Sequence, residues 1–217
     1  MRVVTRLPLT LRQATFDELG FILELLDDSI RWLQGMGIDQ WATPWPDEER
    51  RNHRIARDLS EGKTWFALDG AAIAGTITID PNDNTIWPVE KRREKAVYVR
   101  RVIVRRHYAG LGLGARLLDW AADVAARAHE ARWIRIDVWT TNRQLHAYYR
   151  RQGFRYHDLV DNPDYPSRAL FERSTDKRRY EYHALLRPAA PLAHVTVTHR
   201  HTGGDSGRAA VSIPGMS

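Results

Sequence analysis

The chain has no cysteine among its 217 residues. That excludes a disulfide scaffold, a Cys-ligated zinc site and a cysteine nucleophile. No stretch approaches the ~18 uninterrupted apolar residues of a membrane span. The opening MRVVTRLPLTLRQ is too polar and too soon interrupted for the apolar region of a signal peptide. Lysine is scarce: Lys63, Lys91, Lys95 and Lys177 are the four, so 33 − 4 = 29 basic residues are arginine. Internal repeats and low-complexity tracts are absent. These absences lead to the expectation of a soluble cytoplasmic protein with no membrane partner. What remains is ordinary globular usage, 43% apolar and 28% charged, enough for a core and against wholesale disorder. At ~100–200 residues per domain, the length predicts one domain, or one domain with an extension.

The formal charge of +6 is unevenly spread. Lys91 to Arg106 holds eight basic residues and one acid, and Asp17 to Asp28 holds five acids and no base. A basic strip toward an anionic ligand and an acidic strip elsewhere fit a two-substrate site; two solvated faces fit equally well. The basic strip contains the apolar run Val97–Val104, and aromatics do not alternate with its charges on an exposed face, so a nucleic-acid partner is not expected.

Periodicity predicts a strand at Leu9–Ala14, then a helix opened by a Thr15/Glu18 capping box and carrying Leu19, Ile22, Leu23, Leu26, Ile30 and Leu33. Gly35 and Gly37 end it, and Pro44 and Pro46 keep the next segment a loop. A charged helix is expected at Glu48–Leu59 and a hairpin at Thr64–Leu68 and Ala72–Ile79 around Asp69-Gly70. There follow a strand (Ala96–Val104), a helix (Leu113–Ala128), a strand (Trp133–Trp139) and a short helix (Asn142–Arg151). Strands at Phe154–Leu159 and Arg179–Leu186 close the pattern around a polar loop, Asp161–Lys177. The order β-α-α-β-β-β-α-β-α-β-β makes a mixed α/β fold around a central sheet. Residues 1–187 form the expected domain. Residues 188–217, small, polar and Gly/Ser/Pro-rich, are the expected mobile tail, in which His194–Thr198 alternates well enough for an edge strand. Gly204-Asp205-Ser206-Gly207 in that tail imitates a serine-protease motif without its context, and His194, His199 and His201 are read as solvated rather than metal ligands.

The informative stretch is VRRHYAGLGLGARLL, Val104 to Leu118. Gly110, Gly112 and Gly114 sit between an apolar strand and an amphipathic helix, where glycine lets backbone N–H groups approach a ligand. The helix N-terminus adds unpaired N–H groups and its positive dipole end, which together suit a phosphate. A triphosphate loop is excluded because Gly114 is followed by Ala115-Arg116 rather than by Lys and Ser/Thr. Gly110-Gly112-Ala115 formally matches a dinucleotide motif, with Asp137 as its acid. Against that alternative, the turn starts five residues after the strand end and Asp137 lies inside its strand.

A third candidate is a coenzyme A loop. Ala109-Gly110-Leu111-Gly112-Leu113-Gly114 opening a helix, with Asn142 and then Tyr149-Arg150-Arg151-Gln152-Gly153-Phe154 downstream, resembles the Gcn5-related N-acetyltransferase superfamily over roughly Leu9 to Arg187. The resemblance implies an N-acetyltransferase taking acetyl-CoA as co-substrate and a small-molecule or peptide amine as acceptor, working as a monomer or homodimer. It implies that the pantetheine arm lies along Val102, Ile103 and Val104, with a backbone N–H near Val102 polarising the thioester. The pyrophosphate would sit on the N–H groups of Ala109, Gly110, Leu111, Gly112, Leu113, Gly114 and Ala115. Asn142 would bond the arm, and Tyr149 would protonate the leaving thiolate. Neither a metal nor a covalent acyl-enzyme is implied.

Ala109 replaces the usual Arg/Gln, leaving Arg105, Arg106 or Arg116 to supply the charge, and Tyr98 stands where some relatives carry a glutamate base. A non-catalytic acyl-CoA sensor therefore stays open beside the enzyme. Asp80 and Asp137 are candidate bases, or else structural acids, and Asp27 and Asp28 are candidates for drawing in a cationic acceptor. Trp41 and Trp45 would stack on an acceptor or anchor their loop. Tyr149 also reads as a core residue beside Phe154, and Asn142 as a helix N-cap. The acceptor pocket is expected from the loops Gly35–Pro46 and Asp161–Lys177.

Overall fold

The computed structural model describes residues 9–82 and 85–177. The expected strand Arg179–Leu186, the tail, its histidines and Gly204–Gly207 lie outside them. Seven strands form one mixed sheet in the order β1-β2-β3-β4-β5-β7-β6. They are β1 (Leu9–Gln13), β2 (Thr64–Asp69), β3 (Ala72–Asp80), β4 (Ala96–Val104), β5 (Trp133–Val138), β6 (Arg155–Leu159) and β7 (Ala169–Ser174). Only β4 and β5 pair in parallel; the other neighbours are antiparallel. The helices are α1 (Leu19–Gly35), α2 (Glu48–Ser60), the single turn α3 (Val89–Arg92), α4 (Leu113–His129) and α5 (Arg143–Arg151).

The strand period of two sorts the apolar residues into two layers. On one face Phe66 and Leu68 of β2 and Ile103 of β4 pack with Ile22, Leu25 and Leu26 of α1 and with Ile55 and Leu59 of α2. On the other, Ile77, Val97, Val99 and Ile134 meet Leu118, Ala121 and Ala125 of α4. The alanines on α4 let the helix axis approach the sheet closely. Thr15 donates its N–H to the Glu18 carboxylate at 2.9 Å as the capping box predicts, but Phe16–Glu18 is a 3-10 turn and the α-helix starts at Leu19.

One expectation is corrected. The segment Asp161–Lys177 is not wholly a loop, because β7 runs through it. Glu172 and Arg173 are buried together with the apolar residues of β7, so no alternation announces the strand. Their charges are matched from neighbouring elements. Arg173 pairs with Asp119 of α4 at 2.8 Å and donates to the Leu118 and Gln152 carbonyls. Glu172 receives Arg155 at 2.7 Å and Arg135 at 3.4 Å.

Candidate active site

β4 and β5 are paired only over Ala96↔Trp133, Val97↔Ile134 and Tyr98↔Arg135. Beyond that the two strands part, and a cavity of about 660 Å³ opens against the Val99–Val104 stretch of β4. A bulge lies in the same stretch. Thr78 pairs with Arg100 and Thr76 with Ile103, so Arg101 and Val102 together face Ile77 alone. Arg101 takes φ 48, an uncommon value for a side-chain-bearing residue. With the pleat broken, the consecutive residues Arg100 and Arg101 both reach Asp58 of α2, which regular alternation would forbid.

After β4 the chain makes a 3-10 turn (Arg106–Tyr108) and enters the glycine segment. Gly110 (φ 80) and Gly112 (φ 77) both adopt left-handed backbone, which explains the residue type. Gly114 is required differently: a Cβ there would lie 2.7 Å from the Tyr148 hydroxyl. Leu113, Gly114 and Ala115 form the first turn of α4, whose N–H groups have no intrahelical acceptor. With Gly110 and Gly112 they make five main-chain N–H groups lacking an acceptor among the described residues. Ala109 donates to Arg106 at 3.0 Å and Leu111 to Tyr108 at 3.4 Å, so those two amides are occupied.

α5 closes another side of the cavity. Asn142 caps it, accepting from Leu145 N at 2.9 Å, and donates its amide to Gln40 Oε1 at 2.7 Å. Tyr149 is buried, with its ring 5.5 Å from Phe154 and 5.4 Å from Tyr148. Burial, followed by the neighbouring Tyr148 and Asp137, pushes its phenol above the usual range. The phenol therefore stays protonated at neutral pH. Asp137 lines the cavity and accepts a hydrogen bond from the Tyr165 hydroxyl.

The loop from Gly35 to Pro46 covers the remaining side. Asp39 accepts from Trp139 Nε1 at 3.1 Å and Thr141 Oγ1 at 2.6 Å. The Thr141 bond, ahead of the Trp139 bond, holds the Asp39 carboxyl below its ordinary value. Trp45 meets Tyr165 edge-on at 4.8 Å, and the Arg54 guanidinium lies 5.4 Å from the Trp45 ring while donating to the Trp45 carbonyl. Burial, then the adjacent Arg54 charge, pushes the Arg101 guanidinium down to about 10. It remains cationic at neutral pH.

The Acetyltransferase (GNAT) family model matches residues 24–154, which run from α1 through the glycine turn to Phe154. The chain belongs to the GNAT acetyltransferase family. Over 147 residues it is 29% identical to the uncharacterized N-acetyltransferase YesJ of Bacillus subtilis (strain 168), covering 66% of this chain and 79% of that protein. A GNAT-family acetyltransferase structure from Listeria monocytogenes 4b F2365 superposes with a TM-score of 0.61 at 24% identity, covering 76% of this chain and 94% of that one. The PaiA N-acetyltransferase of Thermoplasma acidophilum, solved in complex with coenzyme A, gives 0.59 at 16% identity, over 76% and 98%. Both show the shared fold.

Within this acetyltransferase the expected residues separate clearly. Val102, Ile103, Val104, Asn142 and Tyr149 all line one cavity, with Trp41 and Trp45 on its loop side. Of the two candidate bases, Asp137 is on the wall. Asp80 is buried and spent on Lys63 at 2.8 Å and Arg100 at 3.0 Å. Asp28 pairs with Arg31 and lies 3.8 Å from Arg105, and neither Asp27 nor Asp28 is among the lining residues. Of the arginines near the turn, Arg106 lines the cavity, with its guanidinium 3.8 Å over the Trp32 ring. Tyr98 packs beside Trp87 and faces Arg135 rather than the cavity. Sequence reasoning missed Asp39, Gln40, Tyr148 and Arg54. The first two act across about a hundred residues of chain, and no local pattern marks them.

Proposed function

We propose that this acetyltransferase moves the acetyl group of acetyl-CoA to a primary amine by direct attack in a ternary complex. The observation that carries the reading is the five unaccepted N–H groups at Gly110, Gly112, Leu113, Gly114 and Ala115, continuous with a strand edge freed by the parting of β4 and β5. Amides converging at a helix N-terminus suit a diphosphate. A vacated strand edge suits an extended amide-bearing arm, which pairs with main chain like an added strand. Ala109 and Leu111 shape that turn through their backbone, and Arg106 supplies the side-chain charge absent at Ala109.

Val102, Ile103 and Val104 receive the pantetheine arm, with the Val102 N–H directed at the thioester oxygen, where negative charge develops during attack. Asn142 has one amide hydrogen left after bonding Gln40, and this goes to the arm. An alkyl ammonium of pKa about 10.4 costs about 4.6 kcal/mol to deprotonate at pH 7. Asp137, directly or through water, takes that proton, and the arginines on the wall disfavour the ammonium form. The amine nitrogen bonds to the acetyl carbon, the carbon–sulfur bond breaks, the sulfur receives the Tyr149 proton, and the proton shed by the new amide nitrogen passes through water to the Tyr149 phenolate. Burial keeps the Tyr149 proton on the phenol until it is needed.

Tyr149→Phe tests the assignment. Thiol release from acetyl-CoA should fall about 100-fold or more, the usual contribution of a placed acid, while coenzyme A affinity stays unchanged. Equal turnover in the variant removes Tyr149 from the mechanism. Coenzyme A binding with no thiol released across a broad amine panel would make the chain a sensor instead.

A further inference from the structure

Resting on the transfer reaction just described, we propose that the acceptor amine carries a carboxylate, in the manner of an amino acid, and that Arg54, Arg57 and Arg101 receive that carboxylate beside Trp45. The cavity wall bears Arg51, Arg54, Arg57, Arg100 and Arg101, and Asp137 is the only carboxylate lining it among the described residues. The acids behind the wall are already shared. Asp58 serves both Arg101 and Arg100, and Asp80 serves Arg100 and Lys63, which also holds Glu61. Arg51 is matched by Glu48 at 3.0 Å. Arg54 and Arg57 form no ion pair among the described residues. The Arg101 Nε is buried with no acceptor among them.

A buried donor without a partner is costly, and it becomes favourable once an anion arrives. Guanidinium forks match the planar carboxylate in two parallel hydrogen bonds. The arginines crowd one another as well: burial first, and after it Arg100 and Arg57 against the opposing Tyr165 and Asp47, weakens the hold of Arg54 on its proton. A bound anion relieves that repulsion. The same field opposes a polycationic acceptor. The remaining lining suits a bifunctional molecule. Asp137 offers an anion to the amine, and Trp41, Trp45 and Tyr165 offer apolar surface to whatever joins the two groups.

The test compares matched pairs, the common amino acids against their carboxamides, together with spermidine, using the full chain and acetyl-CoA. The acid's kcat/KM should exceed its amide's by about 10- to 100-fold, the worth of a charged hydrogen bond. That ratio should fall toward one in Arg54→Gln and fall partway in Arg57→Gln, with KM for acetyl-CoA unchanged. Arg57 is solvent-exposed on α2, so its variant keeps the fold if Arg54→Gln does not. Calorimetric titration with N-acetyl amino acids and their amides reads the same preference without turnover. Spermidine or the amides as the better substrates overturn the proposal. So does a ratio unmoved in both variants, or acids that bind no better than amides across the panel. Titration with coenzyme A is a separate arm: failure there refutes the transfer reaction and leaves the acid-against-amide comparison readable.

Discussion

The cavity and the glycine turn that adjoins it at Tyr148 are built from different materials. At the glycine turn the useful groups are main-chain amides, and the side chains matter mostly by being absent: glycine at two left-handed positions and at one close approach to Tyr148. Beneath the Gly35–Pro46 loop the useful groups are side chains, Arg54, Arg101, Asp137 and Trp45, held by further side chains such as Asp58 on Arg101 and Tyr165 on Asp137 and Trp45. An amide scaffold is indifferent to most substitutions and suits a ligand that does not vary. A side-chain scaffold changes with each substitution and can follow a ligand that does.

This contrast can be broken experimentally. The largest effect is expected in the Tyr149→Phe variant described above, which should lower kcat and leave both binding constants in place. Next, Gly112→Val forces a branched residue into left-handed backbone, at about 1–2 kcal/mol. Coenzyme A affinity should drop about tenfold by calorimetry, with the order of preference among acceptors intact. A changed acceptor order would show that the turn and the cavity are not separable. Asn142→Ala removes a helix cap and the Gln40 bond, each worth about 1 kcal/mol, so melting should fall by about 4–8 °C for a chain of this size. KM should rise for acetyl-CoA, whose arm loses the Asn142 amide, and for the acceptor, whose loop loses the Gln40 bond.

The smallest effect is the dependence on pH. Arg12 holds Glu18 and Thr141 holds Asp39 below the ordinary carboxylate range. Against burial that pushes them up, Lys63 does the same for Asp80 and Arg155 for Glu172. Carboxyls depressed in the folded state stabilise it fully above their unfolded values of about 3.9 to 4.3, and that stability is lost as pH falls through the lower folded values. Burial also holds the His146 imidazole below its ordinary value, so the melting temperature should be flat from pH 8 to about 7, sag slightly below about 6.5 and decline steeply below about 4. An unchanged melting temperature at pH 3 would contradict these assignments.

Legibility in the sequence follows the same divide. The glycine turn, α4 and the Tyr149–Phe154 run are local patterns, and element boundaries there agree with expectation to within a residue or so. The hairpin at Asp69-Gly70 is equally local, with Gly70 at φ 59. β7 is illegible because Glu172 and Arg173 are buried by partners on α4, β5, β6 and Gln152 just past α5, which no window of the chain contains. The arginine wall was illegible for a related reason. Arg54 lies on one helix and Arg101 on a strand 47 positions later (101 − 54), and a general excess of arginine hid the few that converge. Asp137 could be nominated from its strand, but only the fold separates it from Asp80.

The bulge in β4 has a further consequence. It depends on a count rather than on a chemistry: two residues stand opposite one. Shortening this strand by one residue would restore the pleat, set a single residue opposite Ile77 and remove the irregularity that brings Arg100 and Arg101 to one acid. Conservative replacements at Arg101 should therefore be survivable, whereas deleting it should scramble the enzyme. Lineages descending from this chain are free to rewrite the letters of that strand far more readily than its length.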